Sequence, residues 1–247
     1  MRDARGSLPA ILALQFLAYM HNIVHNMATA SLPYVPITER ELRDHLRACL
    51  VVAAQGLDCR VVEELSIEQG SARVDLAVIG DTLEAYEIKS DLDDFGRLHN
   101  QIHAYNRVFD RITIVTGPQY APAALELMPS WWGVIEAHRQ DDGSLEFVAR
   151  REAVPNLAQD ARSVAMFLWR DEAIEVLESQ TGASTPKRAT RTQLHGWLAQ
   201  SLSLAQLRRS VTRRLLDRVG TTRLRPSRPD DGLSHLDASC SGFHYLT

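Results

Sequence analysis

The hydrophobic positions in the first half of the chain change period several times, and each change predicts a different element. Between residues 38 and 55 apolar residues recur at helical intervals, and Thr38 and Glu41 have capping-box spacing, so this segment predicts an amphipathic helix. Three short segments rich in β-branched residues follow, separated by turn sequences containing Gly70 and Gly80. They predict a meander with strands at residues 61–67, 73–79 and 83–89.

A second helix and a buried strand complete the predicted core. Apolar residues at helical spacing from Leu98 to Phe109 predict a helix that Asp91 can cap, and residues 112–115 read as a strand buried on both faces. A short helix at 121–128, a hairpin turned at Gly143 and a helix at 163–178 follow. The predicted fold class is α/β, with a mixed α+β sheet, an αβββαβ core and a C-terminal helical appendage.

Charge divides the 247 residues unevenly, although the net charge is only −4. Residues 183–228 contain eleven Lys or Arg and a single acid, Asp217, which favours contact with phosphate over the alternative of a solvated face that balances an acidic body. The predicted organisation is an N-terminal extension at 1–36, a core domain at 37–180, a basic helical segment at 186–225 and a disordered tail at 226–247.

The cysteines and the N-terminal segment bear on location. Three cysteines without C-x-x-C spacing fit a reducing, cytoplasmic setting. Residues 8–20 are largely apolar but too few to span a bilayer, and they lie far from the nearest site resembling a signal-peptidase cleavage site, so a packing helix or a start at Met27 is favoured over a signal peptide. We expect no membrane partner.

Three groups of polar residues fall on adjacent predicted elements. Asp75 lies in the second strand, Glu87 and Lys89 share one face of the third, and Gln101 and Tyr105 share a face of the following helix. If the loop between the strands has three residues, Asp75 stands directly opposite Glu87. Two facing carboxylates are costly unless a cation lies between them, and Mg²⁺ accepts such hard oxygen ligands.

The order and spacing of these residues are similar to those of a known superfamily. Val74-Asp75 followed by Glu87-Ile88-Lys89 in a βββαβ order resembles the PD-(D/E)XK phosphodiesterase superfamily, which is restriction-endonuclease-like, and Gln101-x-x-x-Tyr105 resembles the signature of its RecB-like branch. The local runs ARVDLAVI, EIKSDLDD and QIHAYNRVFD are similar to a largely uncharacterised bacterial nuclease-like family.

The resemblance implies a role for each matching residue. Asp75 and Glu87 would bind Mg²⁺ or Mn²⁺ with help from the carbonyl of Ile88, and Lys89 would orient or activate the attacking water. Val74 stands where the pattern has proline, which does not touch the ligands. A fourth acid remains open between Glu64 and Glu41, with Glu64 ranked first.

The residues predicted to bind the substrate are spread over several predicted elements. Arg73 either clamps phosphate or balances a neighbouring acid, and Gln101 and Tyr105 either support the site or contact a substrate strand. Arg208, Arg209 and Arg213 lie along one predicted helix and can track a nucleic-acid backbone.

The sequence therefore predicts a magnesium-dependent nuclease acting on DNA in repair or in defence against foreign DNA, with RNA as an alternative substrate. The second hypothesis is a catalytically silent DNA-binding or regulatory protein with the same fold, and a third is a subunit whose C-terminal helices dock a partner protein. The sequence does not fix the oligomeric state, and a homodimer is among the alternatives.

Overall fold

A computed structural model describes residues 35–91, 98–221 and 243–245. The predicted N-terminal extension up to residue 34, residues 92–97 and most of the predicted tail lie outside these ranges. The described elements, in chain order, are α1 Glu39–Ala53, β1 Arg60–Ile67, β2 Ala72–Ile79, β3 Leu83–Lys89, α2 Leu98–Asn106, β4 Arg111–Thr116, α3 Ala121–Leu127, β5 Gly133–Arg139, β6 Leu145–Arg151, α4 Ala161–Ala165, α5 Arg170–Thr181, α6 Arg191–Ser201, α7 Leu204–Thr221 and β7 Phe243–Tyr245.

The predicted fold class and the αβββαβ order are confirmed. The described strands form one mixed sheet in the order β1-β2-β3-β4-β5-β6-β7. The first three strands are antiparallel, as expected of a meander, and β3, β4 and β5 are parallel. The two parallel connections run through α2 and α3, because parallel neighbours need a crossover element.

The sheet is covered on both faces. On one face α1 packs Leu42, Leu46 and Leu50 against the sheet. On the other face α2 and the helices after β6 enclose a larger core that contains Tyr105, Phe109 and Trp132. The predicted capping box of α1 is present, with Thr38 and Glu41 bonded to each other's backbone amides.

The predicted helix at 163–178 is wrong as a single element. It is divided into α4 and α5, because Trp169 has an extended backbone and its amide donates to the Glu172 side chain at 2.8 Å, which starts a new helix. Oδ2 of Asp91 accepts from the amide of Ile37 at 2.9 Å, which ties the chain after β3 to the entry of α1. The helix cap predicted for Asp91 involves residues 92–97, which lie outside the described residues.

The basic segment packs against the core domain. Helices α6 and α7 bury a stripe of apolar side chains in the same core as Tyr105 and Phe109; the stripe comprises Leu194, Leu198, Leu202, Leu207, Val211 and Leu215. A linker at 182–190 lies between α5 and α6 in sequence, and buried side chains of both helices belong to the same core. None of the described helices has both the length and the apolar character needed to cross a bilayer.

Candidate active site

The register between β2 and β3 brings Asp75 and Glu87 to one place. Ile79 pairs with Leu83 across a three-residue loop, as predicted, and the paired positions run back to Leu76 and Tyr86. The backbone pairing ends there, and beyond it Asp75 meets β3 through its side chain. Its Oδ2 accepts a hydrogen bond of 2.8 Å from the amide of Ile88, so Asp75 reaches across to the strand that carries Glu87.

The Glu87 carboxyl group is buried among polar partners. Its side chain is 2% exposed, its Oε1 lies 3.0 Å from Nζ of Lys89, and its Oε2 lies 2.7 Å from the hydroxyl of Tyr105. Burial raises the pKa of Glu87 to about 7, and the charge of Asp75 adds to the rise, while Lys89 and Tyr105 oppose it. The group therefore changes charge near neutral pH.

Asp75 shows the same effect in a less buried position. Burial raises its pKa, and the Ile88 amide and the Arg43 guanidinium act in the opposite direction. The charge of Asp75 in turn raises the pKa of Glu87, so the two carboxyl groups are near neighbours.

Tyr105 supports Glu87 from α2. Its hydroxyl lies 2.6 Å from the carbonyl oxygen of Arg73 and 2.7 Å from Glu87, and Nε2 of Gln101 donates to it at 3.4 Å. A hydroxyl has one proton, so Tyr105 donates to one oxygen at a time and can accept from Glu87 when Glu87 is protonated. Burial, followed by Glu87, raises the pKa of Tyr105, which keeps the phenol neutral. Both predicted helix residues reach the site, and their contacts position Glu87.

Arg43 is a member of this site that the sequence reasoning missed. Its Nη2 lies 3.1 Å from Oδ1 of Asp75, its Nη1 lies 3.3 Å from Oε1 of Glu64, and it also pairs with Glu39 one turn earlier on α1. The i, i+4 spacing of Glu39 and Arg43 was visible in the sequence, but it indicated only a surface pair. The contact with Asp75 depends on where α1 crosses the end of the sheet.

The two candidates for a fourth acid lie in different surroundings. Glu64 is linked to Asp75 through Arg43 and also pairs with Arg73 at 3.2 Å. Glu41 pairs with Arg139 at 2.8 Å and closes the capping box with Thr38; hydrogen bonds from these partners outweigh its burial and lower its pKa to about 2. Glu64 is therefore the acid that shares a partner with Asp75.

The backbone is irregular where Glu64 meets β2. Glu64 has a φ of 54°, in the left-handed region that non-glycine residues rarely adopt. In the facing strand, Val74 and Leu76 belong to opposite cores although residues two apart in a regular strand share a face. The alternation of β2 is thus interrupted at Asp75. Backbone strain of this kind concentrates at functional sites.

The donor set fits a hard cation in type. Asp75 and Glu87 supply carboxylate oxygens, and Mg²⁺ retains waters, so it does not need a full cage of protein ligands. Among the described residues no cluster of three or more His, Cys, Asp or Glu side chains is arranged to hold an ion. Each of the four carboxylate oxygens of this pair has a protein partner within 3.1 Å, and each keeps a second lone pair, so a cation bound here would lie beside the positive charges of Arg43 and Lys89.

The predicted substrate arginines differ in their contacts. Arg73 is 61% exposed beside Glu64, whereas Arg208 pairs with the buried carboxylate of Asp110. Arg209 and Arg213 are exposed, one turn apart on α7. Asp110 accepts from the amide of Leu83 at the start of β3, while Glu87 and Lys89 lie at its end, about 13 Å away at the rise of a strand. Arg208 is thus not brought to the carboxylate pair.

Comparisons with known proteins cover most of the chain, including every residue of this site. The family model described as "Bacteriophage P4 protein cII" matches residues 38–225. Protein cII of Enterobacteria phage P4 is 27% identical over 186 residues, which are 75% of this chain and 69% of that protein. Among solved structures, the SPO1766 protein of unknown function from Silicibacter pomeroyi aligns with 61% of this chain and 97% of its own, with a TM-score of 0.38 and 19% identity. The match of the family model from the N-cap of α1 to beyond α7 shows that this chain belongs to the bacteriophage P4 protein cII family.

Proposed function

We propose that this protein is a magnesium-dependent nuclease of the PD-(D/E)XK type that hydrolyses phosphodiester bonds in DNA, in the cytoplasm, in repair or in defence against foreign DNA. The observation that carries the proposal is the convergence of Asp75, Glu87 and Lys89 at one end of β2 and β3. Exposed Arg209 and Arg213 are offered as contacts to the DNA backbone away from the cleavage site.

Each residue has a distinct part in the proposed reaction. Asp75 and Glu87 would hold the cation, with the Ile88 carbonyl as a third ligand on the same strand. A bound Mg²⁺ would polarise the scissile phosphate and lower the pKa of a coordinated water. The ammonium of Lys89, held 3.0 Å from Glu87, would orient the attacking water and offset charge on the phosphate oxygens. Tyr105 fixes the carboxyl group of Glu87, which keeps these groups in register.

A second function has an observation in its favour. Because every oxygen of Asp75 and Glu87 already has a protein donor, the site is also consistent with a fixed ion-pair network without catalysis. The chain would then be a DNA-binding or regulatory protein that retains the fold of a nuclease. In this alternative the exposed arginines contact DNA as before, and the site binds no cation.

Cleavage assays separate the two functions. Purified full-length protein is incubated with plasmid, linear and single-stranded DNA in Mg²⁺ or Mn²⁺, alongside Asp75→Ala and Lys89→Ala, with Arg40→Ala as a control because its side chain is 91% exposed. We expect cleavage by the wild type and the control, and a loss of about 100-fold or more in the two site variants. Equal cleavage by all four proteins would identify a contaminating nuclease and remove the proposal. DNA binding without cleavage by any of them would establish the second function.

A further inference from the structure

Arg43 forms an ion pair with one of the two carboxylate oxygens of Asp75. Oδ2 of Asp75 accepts a hydrogen bond from the amide of Ile88 within the sheet, and Oδ1 is the oxygen that faces α1. That oxygen lies 3.1 Å from Nη2 of Arg43. The Arg43 side chain is 19% exposed and the Asp75 side chain is 22% exposed, so the pair is largely shielded from water. Pairs shielded in this way are screened less by solvent than surface pairs.

The guanidinium also gathers two other acids at the same place. Glu64 on β1 and Glu39 on α1 both contact Arg43, and their side chains are 47% and 49% exposed. One positive charge therefore serves three carboxylates from three elements. Without this charge, Asp75 and Glu64 would repel each other and Asp75 would face Glu87 with less compensation. Arg43 thus does the electrostatic work that a cation would do between these groups.

We propose that Arg43 and a divalent cation compete for Oδ1 of Asp75, so that binding of the cation breaks the Arg43–Asp75 pair. The inference rests on the proposed function, because it uses the same carboxylates. In the absence of a cation, Arg43 holds the acids together and links α1 to β1 and β2. When a cation binds, the guanidinium leaves Asp75 and retains Glu39 and Glu64 as partners. Arg43 is a positioning residue in this scheme, since it acts through Asp75.

The test measures binding of the metal alone. Full-length wild type, Arg43→Gln and the control Arg40→Gln are titrated with Mn²⁺, and free Mn²⁺ is followed by electron paramagnetic resonance. We expect Arg43→Gln to bind Mn²⁺ about tenfold more tightly than wild type, because loss of one charge-assisted hydrogen bond no longer opposes binding. Arg40→Gln should match the wild type, since the Arg40 side chain is 91% exposed and pairs with exposed Asp44 on the same helix.

The outcomes separate this inference from the proposed function. Equal or weaker Mn²⁺ binding by Arg43→Gln than by wild type overturns the competition. Absence of Mn²⁺ binding by every protein overturns the proposed metal site as well. If Arg43→Gln does not fold, the side-chain Nε resonance of Arg43 in ¹⁵N-labelled wild type gives the answer. Competition predicts that this resonance shifts on addition of Mg²⁺ with the same midpoint as binding, and a resonance that stays unchanged at saturation overturns the inference.

Discussion

Replacement of Glu87 by glutamine should change how the stability of the protein depends on pH. Burial and the charge of Asp75 raise the pKa of Glu87 from 4.5 to about 7. Between these two values the unfolded chain releases the proton while the folded chain keeps it. The free energy of unfolding of the wild type should therefore fall as pH rises through this window, by up to about 1.4 kcal/mol per pH unit and about 3 kcal/mol in total.

Glutamine retains the shape and does not titrate. The amide oxygen of the glutamine can still accept a hydrogen bond from Tyr105 or from Lys89. In the wild type these groups lie 2.7 Å and 3.0 Å from the two carboxyl oxygens of Glu87. We compare the free energies of unfolding of the two proteins at each pH. The difference, Glu87→Gln minus wild type, should increase by about 3 kcal/mol from about pH 4.5 to about pH 8.

Urea denaturation in EDTA, followed by circular dichroism at a series of pH values, measures the difference directly. Glu63→Gln is the matched control, since Glu63 is a glutamate of the same sheet, on β1, with its side chain 46% exposed. A difference for Glu87→Gln that stays flat across the window, or that falls, would refute the account of a buried carboxyl group beside Asp75. Repeating the series in Mg²⁺ should favour ionised Glu87 and reduce the advantage of the variant.

Two further predictions concern α7. Arg208→Ala should lower the free energy of unfolding by about 2–3 kcal/mol in urea denaturation, because it leaves the buried carboxylate of Asp110 without its charged partner. The control Arg209→Ala should stay within about 0.5 kcal/mol of the wild type, and equal losses in the two variants would contradict a stabilising Arg208–Asp110 pair. Charge reversal at Arg209 and Arg213 together should weaken DNA binding in a fluorescence-anisotropy titration and reduce its dependence on salt, with the fold intact; an unchanged affinity would exclude this face as the DNA contact.

Local signals in the sequence predicted much of the core and of the site. The capping box at Thr38 and the three-residue loop at Gly80 are set by neighbouring residues, and the loop length fixed the register of β2 against β3 from Ile79–Leu83 to Leu76–Tyr86. Gln101 and Tyr105 followed from helical spacing. These features depend on residues close together in sequence or on a single strand pairing.

What the sequence did not predict depends on packing between distant elements. Arg43 reaches Asp75 across 32 residues because α1 crosses the end of the sheet. Trp169 starts a new helix with Glu172, although tryptophan lacks the short side-chain acceptor of a typical cap residue. Arg208 was interpreted by its charge alone, and its contact with Asp110 requires the docking of α7 on the core. The roles in cleavage and in metal binding stay predictions.

The shared core of α6 and α7 determines how this protein can be divided. Six leucine and valine side chains from these helices and the turn between them share a core with Tyr105 and Phe109, and burying them contributes roughly 10 kcal/mol. That contribution is comparable to the whole folding free energy of a typical domain. A truncated chain ending near Gly182 would therefore expose an apolar surface next to the residue that supports Glu87. Removal of the C-terminal helices would therefore disturb the packing beside Tyr105 and Glu87 as well as change the charge of the protein.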